Sequence, residues 1–149
     1  NKGVALDSLG KHQEAIACHD RALEINPKCA EAWLNKGVAL DSLGKHQEAI
    51  ACHDRALEIN PIDVEAWYNK GVVLVSLAKH QEAIACFDTA LKINPRHAET
   101  WYNKAIVEEE IGRGHDAAFF YKRFIELASA QYADQIEYAR QRLRELEER

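Results

Sequence analysis

The sequence predicts an all-α solenoid, in which helix–turn–helix units stack side by side and a last helix closes the C-terminal end. Three observations carry this. The stretch Ala30–Asp63 reappears after a step of 34 residues at Val64–His97 and again at Ala98–Gln131, and its tail matches Asn1–Cys29. Trp33, Trp67 and Trp101 mark the step, and so do Pro27, Pro61 and Pro95. Asn1–Pro27 and Asn35–Pro61 are the same 27 residues letter for letter. A repeat of this period cannot bury its apolar face alone and leans on its neighbours.

Each unit divides into two helices. In unit two (30–63), Trp33, Gly37, Leu40 and Leu43 fall three or four apart and make one apolar stripe. Gly44 follows, where a left-handed residue closes a helix without steric cost. The second helix is expected from about Gln47 to Ile59, with Ala49, Ile50, His53, Ala56 and Leu57 inward. Pro61 stops it and pushes Asn60 out of the helical region. Unit one (1–29) is partial, and units three (64–97) and four (98–131) follow the same plan. The first unit lacks the opening tryptophan and the chain has no Met, so the expectation is a processed chain or a fragment of a longer one.

These fixed spacings resemble the tetratricopeptide repeat, whose pattern is W-x2-L-G-x2-Y…A-x3-F…P. Unit two matches at Trp33, Gly37, Leu40, Ala49, Ala56 and Pro61; unit three matches at Trp67, Gly71, Leu74, Ala83, Phe87, Ala90 and Pro95. Lys36, Lys70 and Lys104 stand where Leu is usual, and His19 and His53 where a large aromatic is usual. Unit four drifts further, with Ala105 for Gly, Tyr121 for Phe, Phe124 for Ala and Ser129 for Pro. The resemblance implies a right-handed superhelix whose concave groove, lined by the first helices, receives a peptide or protein segment.

Unit four carries Phe119, Phe120, Tyr121, Phe124 and Ile125 on its second helix, more aromatic surface than the other copies. The segment 132–149 offers a cover: Ile136, Ala139, Leu143 and Leu146 form a stripe, with Glu137, Arg140, Arg144, Glu145, Glu148 and Arg149 outside. That is the pattern of a capping helix, and Glu145 with Arg149 makes a favourable four-apart pair. The opposite end has no such cap, so a weak homodimer through the N-terminal faces is expected, isologous as two-fold contacts are.

Composition narrows the function. With 149 residues and a net charge of −5, the chain offers no basic surface for nucleic acid or anionic membrane. No apolar run approaches the ~20 residues of a membrane span. Cys18, Cys52 and Cys86 are one repeat position, about 10 Å apart in a stack and beyond the ~7 Å Cα limit of a disulfide. Unpaired thiols fit a reducing, cytoplasmic location.

Chemistry finds little footing. Cys18-His19-Asp20 and Cys52-His53-Asp54 suggest nucleophile, base and acid, but consecutive helical side chains diverge by about 100° and miss hydrogen-bond reach. The histidines are expected to fill the slot between paired helices, with pKa values lowered by burial. A Cys/His metal site is the weaker alternative, because His12, His46 and His80 recur as a ladder rather than converge as zinc requires. Gly112-Arg113-Gly114 reads as an inter-helix turn. No enzyme and no cofactor are expected.

The groove remains. Turn angles place Glu31, Leu34, Asn35, Val38, Asp41 and Ser42 of unit two on it. Unit three adds Glu65, Tyr68, Asn69, Val72, Val75 and Ser76, and unit four adds Glu99, Tyr102, Asn103, Ile106, Glu109 and Glu110. Unit one contributes Asn1, Val4, Asp7 and Ser8. The amides can pair with both N–H and C=O of an extended backbone; bonding within the helix pair is their alternative role. Tyr68, Tyr102, Val38, Val72 and Ile106 are the apolar anchors. One branch of the family grips a terminal carboxylate through Lys, Arg and Asn, but here Glu, Leu and Tyr replace those cations. The lysines are expected to lie against the neighbouring helix instead. The expected ligand is therefore a segment with Lys or Arg among apolar side chains. A purely structural spacer or consensus-like module is the alternative.

Overall fold

In the computed structural model, residues 2–148 are described, with side chains from Gly10 onward. Eight α-helices follow one another: α1 (Lys2–Ile25), α2 (Ala30–Ser42), α3 (His46–Ile59), α4 (Val64–Ser76), α5 (His80–Ile93), α6 (Ala98–Glu110), α7 (Gly114–Leu127) and α8 (Ala133–Glu147). A single 3-10 turn, Ala130–Tyr132, precedes α8. The pairs α2/α3, α4/α5 and α6/α7 are the three complete units, each packed on the next.

The turns are where the repeat places them. Gly44 has φ +79° and Gly112 φ +86°, the left-handed conformation that closes α2 and α6. Unit three uses Ala78 at the same place, with φ +58°, at a steric cost that glycine avoids. Asn60, ahead of Pro61, leaves the helical region at φ −135°, ψ 88°. Asp63 caps α4 by accepting from the Ala66 N–H at 3.3 Å.

Unit one departs from the expected hairpin. Its copy of the α2–α3 sequence is one continuous helix through Gly10, with no turn. Identical letters thus take two conformations, so tertiary docking decides the matter and not local propensity. In unit two the folded-back helix is also held by Trp33 and Leu34 against Ala56 and Leu57.

The core repeats as the sequence does. Gly37 lies under the His53 ring and Gly71 under Phe87, close enough that an added Cβ would stand 2.6 Å and 2.5 Å from the ring atoms. Ala49, Ala56, Ala83 and Ala90 are fully buried between the same helix pairs. Two polar clips recur at every junction. Each tryptophan Nε1–H donates to the carbonyl of the proline six residues before it: Trp33 to Pro27 and Trp67 to Pro61 at 2.9 Å, Trp101 to Pro95 at 2.8 Å. Each lysine that replaces the usual Leu reaches an aspartate on the preceding unit's second helix. Lys36–Asp20 and Lys70–Asp54 are both 2.6 Å, and Lys104 pairs with Asp88. These lysines also lie over Trp33, Trp67 and Phe120. They turn away from the groove, as the sequence leads one to expect, and exchange an apolar contact for an inter-unit ion pair.

Helix α8 covers the end of the stack. Ala139 is buried, and Ile136 and Leu146 pack on the cluster of Ala105, Ala117, Tyr121 and Phe124. Glu137, Arg140, Arg144 and Glu148 face out. The cover is narrower than the aromatic patch: Phe119 stays 56% exposed, edge-on to Trp101 and Phe120. Glu145 is bonded by Arg142 and Gln141; its anticipated partner, Arg149, lies outside the described residues.

Candidate peptide groove

Contacts between neighbouring units define the inner wall. Helix α2 touches α4 and α4 touches α6, with no comparable contact joining α3 to α5 or α5 to α7. The first helices of neighbouring units therefore touch one another directly. The inter-unit bond from Asn103 Nδ2–H to the Tyr68 hydroxyl, 2.9 Å, lies on this wall.

None of the groove positions read from units two to four is buried. Glu31, Asn35, Val38, Ser42, Glu65, Ser76 and Glu110 are exposed. Leu34, Asp41, Tyr68, Asn69, Val72, Val75, Glu99, Tyr102, Asn103, Ile106 and Glu109 are half-buried. The unit-one positions Asn1, Val4, Asp7 and Ser8 lie outside the described side chains.

The amides divide between their two roles. Asn103 is committed to the fold, donating to Tyr68 and to the Glu99 carbonyl at 3.0 Å. Among the described residues, no side-chain hydrogen bond of this kind holds Asn35 or Asn69. Tyr68 packs on the His97 and Phe87 rings. Burial, and then Glu99 and Glu65, push its phenol well up, so it stays a neutral hydroxyl. Tyr68, Glu99, Tyr102, Asn103 and Tyr132 are among the residues lining a hollow of about 110 Å³.

The acidic side chains are less open than the sequence alone implies. Asp41 is 2.7 Å from His46 Nδ1, and Glu65 2.8 Å from His97 Nε2. Glu99 accepts from the Tyr132 hydroxyl at 2.7 Å. Glu109 accepts from Tyr121 at 3.0 Å and from the Arg142 guanidinium. Of these partners only Arg142 carries a permanent positive charge.

Sequence reasoning missed the residues of α8 and its approach that reach this wall. Tyr138 stands against Tyr102 and Tyr121, with ring centroids 6.2 and 6.5 Å apart. Tyr132 takes Glu99, and Arg142 takes Glu109. Tyr138 and Arg142 are one helical turn apart on the flank beside the apolar stripe, the only signal in the sequence for them.

The Cys-His-Asp runs do not assemble. Cys52 is buried and its thiol is pushed up by burial. His53 turns to Gly37 with both ring nitrogens buried and unbonded, and burial lowers its pKa to about 4.

Stacked helical hairpins with an inner wall of first helices define a helical-repeat scaffold. The tetratricopeptide repeat model matches residues 1–29, 30–63 and 64–97, and the chain belongs to that family. Solved structures of the same fold include MamA, 19% identical with a TM-score of 0.75 over 93% of this chain and 88% of that one. MamA 41-end from Desulfovibrio magneticus RS-1 is 22% identical, with a TM-score of 0.74 over 84% and 71%. YrrB, described as a TPR protein with an unusual peptide-binding site, is 24% identical, with a TM-score of 0.70 over 81% of this chain and 63% of that one. A search of curated protein sequences gave no match. Among the described residues no helix is long and apolar enough to cross a membrane.

Proposed function

We propose that the chain is a non-catalytic interaction scaffold of the reducing cytoplasm whose concave groove takes a basic, apolar-spaced peptide segment. The observation that carries this reading is the arrangement at the C-terminal end of the wall. There the chain's own Arg142 meets Glu109 while Tyr138 lies on Tyr102, as a bound arginine-and-aromatic segment would. Further along, Asn35 and Asn69 offer amides to a peptide backbone, and Leu34, Val38, Val72 and Ile106 offer apolar seats. Glu31, Asp41, Glu65 and Glu99 set the sign of the ligand. Asn103 serves by holding Tyr68. That YrrB is a TPR protein with a peptide-binding site agrees with this use of the fold. The same reading includes weak self-association through the N-terminal face.

Binding of labelled peptides, followed by anisotropy, tests the groove. A peptide alternating Arg or Lys with Leu is expected to bind at low salt and weaken as salt screens the acids. The Asn35→Ala/Asn69→Ala double variant should lose about tenfold in affinity with an unchanged melting temperature, since neither amide supports the fold. Equal affinity for an Asp/Glu-Leu peptide would refute the charge assignment. Binding of neither peptide would make the chain a spacer.

A further inference from the structure

The seam between units three and four holds a hollow built from side chains that the earlier seam lacks. It measures about 110 Å³ and is lined by Tyr68, Tyr102, Phe124 and Tyr132, with Glu99 and Asn103 beside them. One water needs only about 10–15 Å³ of such space, so a larger group fits. A step of 34 residues back puts Leu34, Tyr68, Ala90 and Ala98 in the places of those four rings, one aromatic instead of four. Phe124 is itself a departure from the repeat, whose pattern has Ala there.

The rings stand as walls rather than as a stack. Tyr102 and Phe124 have centroids 4.8 Å apart with planes tilted by 48°, and Phe124 and Tyr132 stand at 6.2 Å and 70°. Phe124 is buried, while the three tyrosines keep access to solvent. Each tyrosine is pinned. The Tyr68 hydroxyl accepts from Asn103, the Tyr132 hydroxyl donates to Glu99, and Tyr102 packs on Tyr121 and Tyr138. Burial raises the phenols of Tyr68 and Tyr102, and the bond to Glu99 raises that of Tyr132. All three rings therefore stay neutral, and the carboxylate supplies the charge. None of the side chains lining the hollow is Lys, Arg or His.

We infer that this hollow is an aromatic cage for an alkylated ammonium group, presented as a trimethylated lysine by the segment bound in the groove. Ring faces attract a cation within about 6 Å of their centroids, and Glu99 adds a full negative charge. The count of donors selects the methylated form. An unmodified ammonium or a guanidinium carries several N–H donors that need acceptors. A plain ammonium is also strongly hydrated, and would give up that water for walls with Glu99 as their one charged acceptor. Methylation keeps the charge, and a trimethylammonium has no N–H to satisfy. Rings already held in place lower the ordering cost of binding.

The inference rests on the groove reading and names what one of its seats takes, so the probes separate the two. Anisotropy would compare three versions of the Arg/Leu peptide that differ at one central residue: lysine, trimethyllysine, and a neutral tert-butyl isostere of trimethyllysine. The trimethyllysine peptide is expected to bind roughly tenfold tighter than either of the others. Tyr132→Ala should erase that preference and still bind the lysine peptide, which shows that the variant folds. The three-peptide comparison on the wild-type chain stands without it. Equal affinity for the lysine and trimethyllysine peptides would overturn the cage and leave the groove reading intact. A tert-butyl peptide as tight as the trimethyllysine one would do the same, making the hollow an ordinary apolar seat. If no peptide binds, the groove reading and the lysine source both fall. Tetramethylammonium chloride, titrated while the tyrosine rings are followed by NMR, then decides the rest. Shifts in wild type that Tyr132→Ala lacks would uphold the cage for a free ion, and no shifts would overturn it too.

Discussion

Gly71→Ala is expected to destabilise the protein by roughly 2–3 kcal/mol, read as a lowered denaturation midpoint with an unchanged slope. The added Cβ would stand 2.5 and 2.7 Å from Phe87 Cε1 and Cδ1. Ordinarily alanine in a helix gains about 1 kcal/mol over glycine, so the sign depends on whether the ring can retreat. It cannot do so cheaply, because Phe87 is fully buried among Leu74, Ala83, Ile84 and Val107. Unit four carries Ala105 at this position, in one cluster with Tyr121, so a methyl is accepted where the helix pair has been built for it. A stability equal to or above wild type would show that α4 and α5 move apart freely.

His53→Phe is expected to stabilise the protein by about 1–3 kcal/mol at neutral pH and to flatten its acid limb. Both imidazole nitrogens are buried without a partner, and Phe87 already fills the same slot in unit three. The pH effect follows from burial, which lowers the folded-state pKa from 6.5 to about 4. Between those values the unfolded chain binds a proton that the native ring refuses. The stability associated with His53 is therefore intact above pH 6.5 and declines as pH falls toward 4, by roughly 3 kcal/mol in all. Unfolding free energies of wild type and variant across this window should diverge as pH drops. Parallel curves would mean that the ring takes up its proton in the native state.

Much of the fold was legible because the 34-residue step repeats the same physical problem. Trp33, Gly37, Gly44, Ala56 and Pro61 each have one structural task, and their copies mark where it recurs. Even Ala78, an unusual choice for a left-handed residue, is placed by register rather than by its own preference. Lys36 was legible only in part. Its departure from Leu shows in the sequence, but its partner Asp20 lies sixteen residues earlier on another helix. Unit one was not legible, since the letters of Asn1–Pro27 and Asn35–Pro61 are the same and docking alone separates their outcomes. In the groove, the solvent access of the expected positions in units two to four could be read from turn angles. The commitment of Asn103 to Tyr68 could not, because it depends on how closely α4 and α6 approach. Nor could the reach of Tyr132, Tyr138 and Arg142, which belong to a stretch outside the repeat and so have no copy to be compared with.

The bond from each indole to the proline carbonyl ahead of it makes the three tryptophans resident spectroscopic probes, one per seam. Emission from single-tryptophan versions would therefore report which seam parts first on denaturation, and whether the array frays from one extremity or opens in its interior.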